Sequence, residues 1–359
     1  MRNSIFSCSC KNHNPLYCIV PPYMLEAMAT SRNEQVRKMA IRNIECSTEI
    51  RTERRLTAPE TVASLLPNRK GKYREVYDMQ NKPNRRDLLP GILVRKEGDL
   101  AVEDNAVNEA YDKSGCTYDF YKEIFGRDSL DDHGLALISS VHLDENYSNA
   151  FWNGNQMAYG DGDGIVFRRF TRSLDVIGHE LTHGVISYTS NLVYRNEPGA
   201  INEHLADVFG SLVKQWVNQQ DVEIADWLIG NEVIVPAPTR RAIRDMKNPG
   251  TAYINDPDLN GTDPQPDHIS KKYTGSRDNG GVHINSGIPN KAFCEAAIQM
   301  GGYAWEKAGR IWYETMLQLT PNSDFNRLVK ITKNIAETTY GANSEEYKAV
   351  SYGWKTVGL

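Results

Sequence analysis

No stretch of this 359-residue chain approaches the roughly 20 consecutive apolar residues that span a bilayer, so no membrane class is suggested. The opening MRNSIFSCSCKNHNPLYCIVPPYML is broken by polar residues where a secretory signal would be apolar, which leaves ordinary signal-directed export unsupported. Internal repeats and low-complexity tracts are lacking, and so are basic runs interleaved with aromatics; solenoids and nucleic-acid binding are therefore not expected. Cysteine is scarce. Of six, those at 8, 10, 18 and 46 crowd the first fifty residues, unlike the even framework of a disulfide-stapled domain, and free thiols are expected. Cys8, Cys10 and His13 make a weak metal pattern for which a surface segment is the plainer reading.

What is present is an ordinary globular composition, 40% hydrophobic and 24% charged, with material for two lobes and a sizeable core. Charge is uneven: residues 1–55 carry nine Lys and Arg against five Asp and Glu, the remainder 32 against 41, so a leader of net +4 faces a body of net −9. Such complementarity is expected to steer the leader onto the body, although basic tails also bind nucleic acid. Within the leader, VPPYML precedes an imperfect apolar stripe of Val36, Met39, Ile41 and Ile44 that predicts a helix over 31–46. CSTEIRTERRLTAPE then reads as a polar linker, protease-sensitive at Arg51, Arg54 and Arg55, with a boundary near residue 55. Beyond it, REVYDM, LLPGILVRKEGD and LALISSVHL carry strand and turn signals, 104–125 is helical, and from 174 onward the pattern is mainly helical.

One run carries chemistry. VIGHELTHGV, residues 176–185, sets His179 and His183 four apart, and because four residues advance about 400° on an α-helix, both imidazoles leave one face at metal-ligand spacing. Glu180 stands about 100° round, placed to reach an attacking water without binding the metal. Alone, the run equally suits a buried helix with two satisfied histidines, since Val176, Ile177, Leu181, Val185 and Ile186 supply core contacts. A catalytic zinc normally takes three protein ligands and leaves a place for water. GAINEHLADVFG offers the third: Glu203, with Asp207 one turn on, shares a face with Ile201, Leu205, Val208 and Leu212, where two carboxylates need an explanation. His204 points about 100° away and has no role in this reading.

HELTH followed by GAINE and a further aspartate resembles the thermolysin family of zinc endopeptidases. NAFWNGNQMAYGDGDG (149–164), NLVYRNEPGAINE (191–203) and DNGGVHINSGIPNKAF (278–293) resemble segments of the same family, so the likeness covers most of the chain from about residue 70 onward. It implies an α+β, two-lobed fold, with a propeptide over 1–55, a β-rich N-terminal lobe including the HExxH helix over 56–190, and a helical C-terminal lobe over 191–359. The two-histidine, one-glutamate zinc site is a property of that family rather than of the spacing. Carried over, it places one catalytic zinc on His179, His183 and Glu203, with Glu180 as the base that shuttles a proton from water to the leaving amine. Asp207 and Asn202 match acceptors that fix the histidine tautomers. His283 and Tyr194 match donors to the oxyanion, and Asp278 matches the partner of His283. Asn149 and Ala150 match the strand edge that pairs with substrate, with Asn149 reaching the residue just after the cut, and Arg244 matches the arginine that grips a substrate carbonyl. Phe167, Phe170, Val176 and Ile243 match the pocket for the residue after the cut, implying a preference for bulky apolar side chains there; plain core packing explains the same four residues.

The pattern departs in two places. Where many members pair calcium ions, Asp175 and Asp226 are kept but Lys214, Leu228 and Asn231 replace acids, so calcium is not expected there. The leader is short, resembling the protealysin-type subgroup, in which a Pro-Pro-hydrophobic motif blocks the primed side of the cleft. Pro21, Pro22 and Tyr23 match it, making the propeptide an expected intramolecular inhibitor, with a linker turn as the alternative. Cys18 is a candidate thiolate ligand in the precursor. A zinc-binding protein without catalysis would be favoured by loss of Glu180, His283 or Tyr194, all of which are present; an aminopeptidase would carry a motif such as GxMEN, which is not found. The expected partners are peptide and protein substrates, and the expected state is a monomer. The resemblance implies secretion, while the unsupported signal leaves a cytoplasmic precursor or another export route open.

Overall fold

The computed structural model describes residues 17–56, 71–83 and 88–359; Cys8, Cys10 and His13 lie outside them. The leader begins with a short strand, β1 (Tyr17–Cys18), followed by helices α1 (Pro22–Met28) and α2 (Glu34–Leu56). Pro21 is extended at the N-cap of α1 and Pro22 enters its first turn, where a missing N–H leaves no helical bond unmade. Helix α2 corrects the linker reading, because it continues ten residues past Cys46 to Leu56. Glu, Arg and Leu are strong helix formers, and each interspersed Ser or Thr costs at most about 0.7 kcal/mol relative to Ala, too little to end the helix. Polar composition there is compatible with a helix as well as with a loop.

Apolar burial docks the leader more than charge does. Ile19, Val20, Tyr23, Met24, Leu25, Met28, Val36 and Ala40 all join the main core. Arg42 meets Asp144 at 2.8 Å and Glu145 at 3.1 Å, in line with the charge asymmetry, but the exposed Glu26–Arg277 pair has the opposite sign.

The sheet contains β2 (Arg74–Asp78), β3 (Ile92–Lys96), β4 (Leu137–Val141), β5 (Ala150–Trp152) and β6 (Met157–Tyr159), and β1 completes it in the order β1-β5-β6-β4-β2-β3. β4 runs parallel to both β2 and β6, while β1, β5 and β3 pair antiparallel with their neighbours. Helix α3 (Asn105–Phe125) begins where Asp104 accepts from the amides of Ala106 and Val107 and ends at left-handed Gly126, as the periodicity predicts. The remainder is mainly helical: α4 (Leu174–Ser187), α5 (Asn196–Val217), α6 (Asp278–Asn285), α7 (Gly287–Met300), α8 (Ala308–Gln318), α9 (Phe325–Tyr340) and α10 (Glu345–Thr356), with the small pair β7 (Leu228–Ile229) and β8 (Arg244–Asp245) between α5 and α6. α4 and α5 meet at glycines. A Cβ on Gly210 would lie 2.5 Å from the Asp175 carbonyl, and one on Gly178 3.1 Å from the Gly210 Cα, so only hydrogen at these positions permits the approach that brings the two chemical faces together.

Candidate active site

His179 and His183 project from α4 toward Glu203 on α5, and all three side chains are fully buried. The two Nε2 atoms are 3.1 Å apart; Glu203 Oε2 lies 3.5 Å from His179 Nε2 and Glu203 Oε1 3.4 Å from His183 Nε2. Their outer nitrogens settle the tautomers. His179 Nδ1 faces Asp207 Oδ1 at 2.9 Å, and His183 Nδ1 faces Asn202 Oδ1 at 2.8 Å, the amide being oriented by Asn202 Nδ2 donating to the Leu192 carbonyl. Each Nδ1 therefore carries the proton, and both Nε2 lone pairs point inward at a carboxylate. Acceptors converging this closely fit a shared cation, and among the described residues this is the one group of such donors able to hold a metal. Glu203 Oε2 has no hydrogen-bond partner despite its burial, which leaves it an acceptor open to a cation.

Glu180 extends beside this group. Its Oε2 accepts from the Trp152 amide of β5 at 3.0 Å, while Oε1 is buried without a partner. Burial, reinforced by the Glu203 charge, holds its carboxyl well above the usual range. Across the cleft, a run of positive φ at Asp278, Asn279, Gly280 and Gly281 turns the Asp278 carboxylate onto the last turn of α6, where Oδ2 accepts from the amides of His283 and Ile284 and Oδ1 lies 2.6 Å from His283 Nδ1. Tyr194 Oη donates to Glu203 Oε1 and lies 3.1 Å from His283 Nε2. Burial opposes a charged His283, but Glu203 and Asp278 outweigh it and raise its pKa.

The leader crosses this centre. Tyr17 and Cys18 pair antiparallel with Trp152 and Phe151 of β5. The Cys18 carbonyl lies 3.1 Å from His283 Nε2, the Ile19 carbonyl accepts from Arg244 Nη1 at 3.0 Å, and the Ile19 amide donates to the Ala150 carbonyl at 3.3 Å. Asn149 brackets Val20, accepting its amide at 3.0 Å and donating to its carbonyl at 3.2 Å. The bonds to the site thus come from Cys18, Ile19 and Val20. Pro21, Pro22 and Tyr23 follow them, the prolines opening α1 and Tyr23 packing in the core, and Asn149 reaches one residue beyond the one Arg244 holds. Cys18 packs in a separate buried cluster with Cys46, Met79, Leu143, Tyr147, Phe151 and Ala158, and the group able to hold a metal among the described residues does not include it.

Phe167, Phe170, Val176 and Ile243 are fully buried in the same apolar cluster as Ile19. Arg244, also buried, forks onto Asp207 with three contacts of 2.8–3.2 Å, so Asp207 serves two partners, His179 and Arg244. Burial would raise the Asp207 carboxyl, but the charges and hydrogen bonds of Arg244 and His179 together outweigh it and hold it low. Lys214 occupies the place of the missing acids: its Nζ is 2.9 Å from both Asp175 and Asp226, 2.8 Å from the Leu228 carbonyl and 3.5 Å from Asn231 Oδ1. His204, which the helical wheel turns away from the metal, is fully buried between Asn290 and Trp312.

A helix-borne HExxH with an acid from the next helix, set under a sheet edge, defines a metallopeptidase. The family models agree: the thermolysin metallopeptidase catalytic domain matches residues 50–187, and the thermolysin metallopeptidase alpha-helical domain matches 190–359. Protease PrtS of Photorhabdus sp. (strain Az29) is 44% identical over 353 residues, covering 95% of this chain and 91% of that protein. An extracellular metalloprotease of Pectobacterium carotovorum subsp. carotovorum is 43% identical, covering 96% and 97%. The solved precursor of protealysin, a metalloproteinase from Serratia proteamaculans, superposes with a TM-score of 0.85 at 42% identity over 96% of this chain and 99% of that one. The chain belongs to the thermolysin family of metallopeptidases.

Proposed function

We propose that this chain is a zinc endopeptidase made as a self-blocked precursor, with His179, His183 and Glu203 holding one zinc. One observation carries the reading: three buried acceptor groups converge within 3.5 Å, beside the partnerless Glu180 Oε1. Zinc bound there would polarise the scissile carbonyl and acidify the attacking water. Glu180 takes the proton from that water and delivers it to the leaving amine. His283 Nε2 and Tyr194 Oη donate to the oxygen that gains charge, with Asp278 holding the His283 ring. Asp207 and Asn202 keep the ligand histidines in the required tautomers.

Substrate lies extended along the edge of β5, bonded to Ala150, Asn149 and Arg244 as Ile19 and Val20 are in the precursor. Phe167, Phe170, Val176 and Ile243 line the pocket for the residue after the cut, favouring bulky apolar side chains. Residues up to about 55 form the inhibitory propeptide, 56–190 the N-terminal lobe and 191–359 the C-terminal lobe. The enzyme works outside the cell, as a monomer, without calcium at the Lys214 position. The test is Glu180→Gln: zinc content stays at one per chain while turnover of a blocked peptide by the matured protein falls by about 10²–10⁴-fold. Normal turnover by that variant would remove the mechanism.

A further inference from the structure

Behind His179 a line of fully buried polar groups runs away from the cleft through three further helices. Asp207 Oδ1 faces His179 Nδ1 at 2.9 Å, and Asp207 Oδ2 accepts from Asn290 Nδ2 at 2.9 Å. Asn290 Oδ1 lies 2.8 Å from His204 Nδ1, and His204 Nε2 lies 2.8 Å from Trp312 Nε1. The helices are α5 for Asp207 and His204, α7 for Asn290 and α8 for Trp312.

The donors and acceptors in this line have one consistent assignment. An indole N–H only donates, so His204 Nε2 must accept and its proton sits on Nδ1. That Nδ1–H donates to Asn290 Oδ1, which turns the amide's NH₂ toward Asp207. An amide flipped the other way would set its oxygen against a buried carboxylate and leave the His204 proton facing an NH₂ group. Asp207 in turn has little slack, because Arg244 takes both of its oxygens and His179 shares one.

We infer that His204 is a positioning residue for the metal centre, setting the Asn290 amide that holds the Asp207 carboxylate between His179 and Arg244. The inference rests on the zinc reading. An apolar side chain could fill the space His204 occupies, but it would release the Asn290 amide and leave the Trp312 N–H with no acceptor. Asp207 could then rotate toward Arg244 at the expense of His179. The helical wheel alone gives His204 no such part, since it reaches the metal only through groups 86 and 3 residues away in sequence.

The test uses the full chain and its matured form, with zinc binding read by competition against a chromogenic chelator alongside kcat and KM. His204→Leu should weaken zinc binding about tenfold, at the lower end of the loss seen when a ligand's direct partner is removed, and lower kcat/KM with it. His204→Gln, which can still accept from Trp312 and donate to Asn290, should restore most of both. In an Asn290→Ala background, His204→Leu should add nothing further. If His204→Leu does not fold, Trp312→Phe frees the imidazole tautomer in place and should weaken zinc binding in the same direction by a smaller factor. A purely packing role would lower Tm while leaving the chelator competition unmoved and giving Gln no advantage. Unchanged zinc competition in whichever of His204→Leu and Trp312→Phe folds, or an equal further loss in the Asn290→Ala background, would overturn the inference. A wild-type chain that binds no zinc would instead overturn the metal reading itself, so the two failures are distinguishable.

Discussion

Helices α4 and α5 build two buried polar clusters by opposite means. At one, His179, His183 and Glu203 bring acceptors together with no cation among them; one turn earlier on α4, Asp175 meets the ammonium of Lys214 from α5. The lesson is where the positive charge comes from. Around Lys214 it is covalently attached and contacts four groups at 2.8–3.5 Å, so the cluster is complete with the chain alone. The histidine cluster offers acceptors only, a donor set that fits a bound ion, and in the proposed reading that ion also contacts substrate. A structural cation can be a side chain, whereas a catalytic one needs an open coordination position.

The sharpest way to break the comparison is to attack both clusters with single substitutions. His183→Ala should lose zinc and nearly all turnover together, measured as metal content and peptide hydrolysis on one sample; full zinc occupancy by that variant would contradict its ligand role. Lys214→Met, which removes the ammonium paired with buried Asp175, should destabilise the protein by about 3–5 kcal/mol while sparing zinc content, checked by urea unfolding of the inactive Glu180→Gln protein. The converse sharpens it: Lys214→Glu should make the thermal midpoint rise with added calcium, whereas wild type should ignore calcium and its chelators. A calcium-dependent wild type would end the idea of a built-in cation.

Next in size is the leader. A chain kept uncut should be nearly inactive, and Ile19→Asp should raise its turnover at least about tenfold, because burying an unpaired carboxylate costs more than the ~1.4 kcal/mol that a factor of ten represents. Equal activity in the cut and uncut wild-type forms would mean that the strand does not block the site. The smallest effect belongs to a polar clamp outside both clusters. His142 is held between Asp161 and Asp104, each at 2.8 Å, and the Asp161 hydrogen bond, against burial and with help from Asp104, raises its pKa from 6.5 to about 9. A folded-state value above the unfolded one means that its stabilisation is whole below about pH 6.5 and fades as pH rises through 9. The urea midpoint should therefore decline across that window, and decline less in His142→Gln; identical slopes would remove His142 as the cause.

The ligand helix and its partner were legible because a 3.6-residue period and metal-ligand chemistry coincide on them, with Gly178 and Gly210 allowing the contact the spacing presupposes. The reach of α2 was not, since Glu, Arg and Thr suit a solvated helix and a solvated linker alike. Proline drew the inhibitory reading to Pro21 and Pro22, yet the groups that meet Arg244 and His283 are backbone carbonyls of Ile19 and Cys18, which any residue type supplies. Nothing local marks a contact between residues 265 positions apart. His204 points away from the metal on the helical wheel, but the interior helix that carries it is buried on every side over Gly199–Gln215, so no direction along it is idle.

The pairing of β1 with β5 matters before any substrate is met. An edge that accepts extended peptides of many sequences is, by the same chemistry, a place where incomplete chains can join one another. Residues 17 and 18 leave the ribosome well before 150–152, so the strand that covers this edge is already waiting when the edge is made. Because the cover and the edge belong to one chain, their ratio is fixed at one to one, whatever the level of expression.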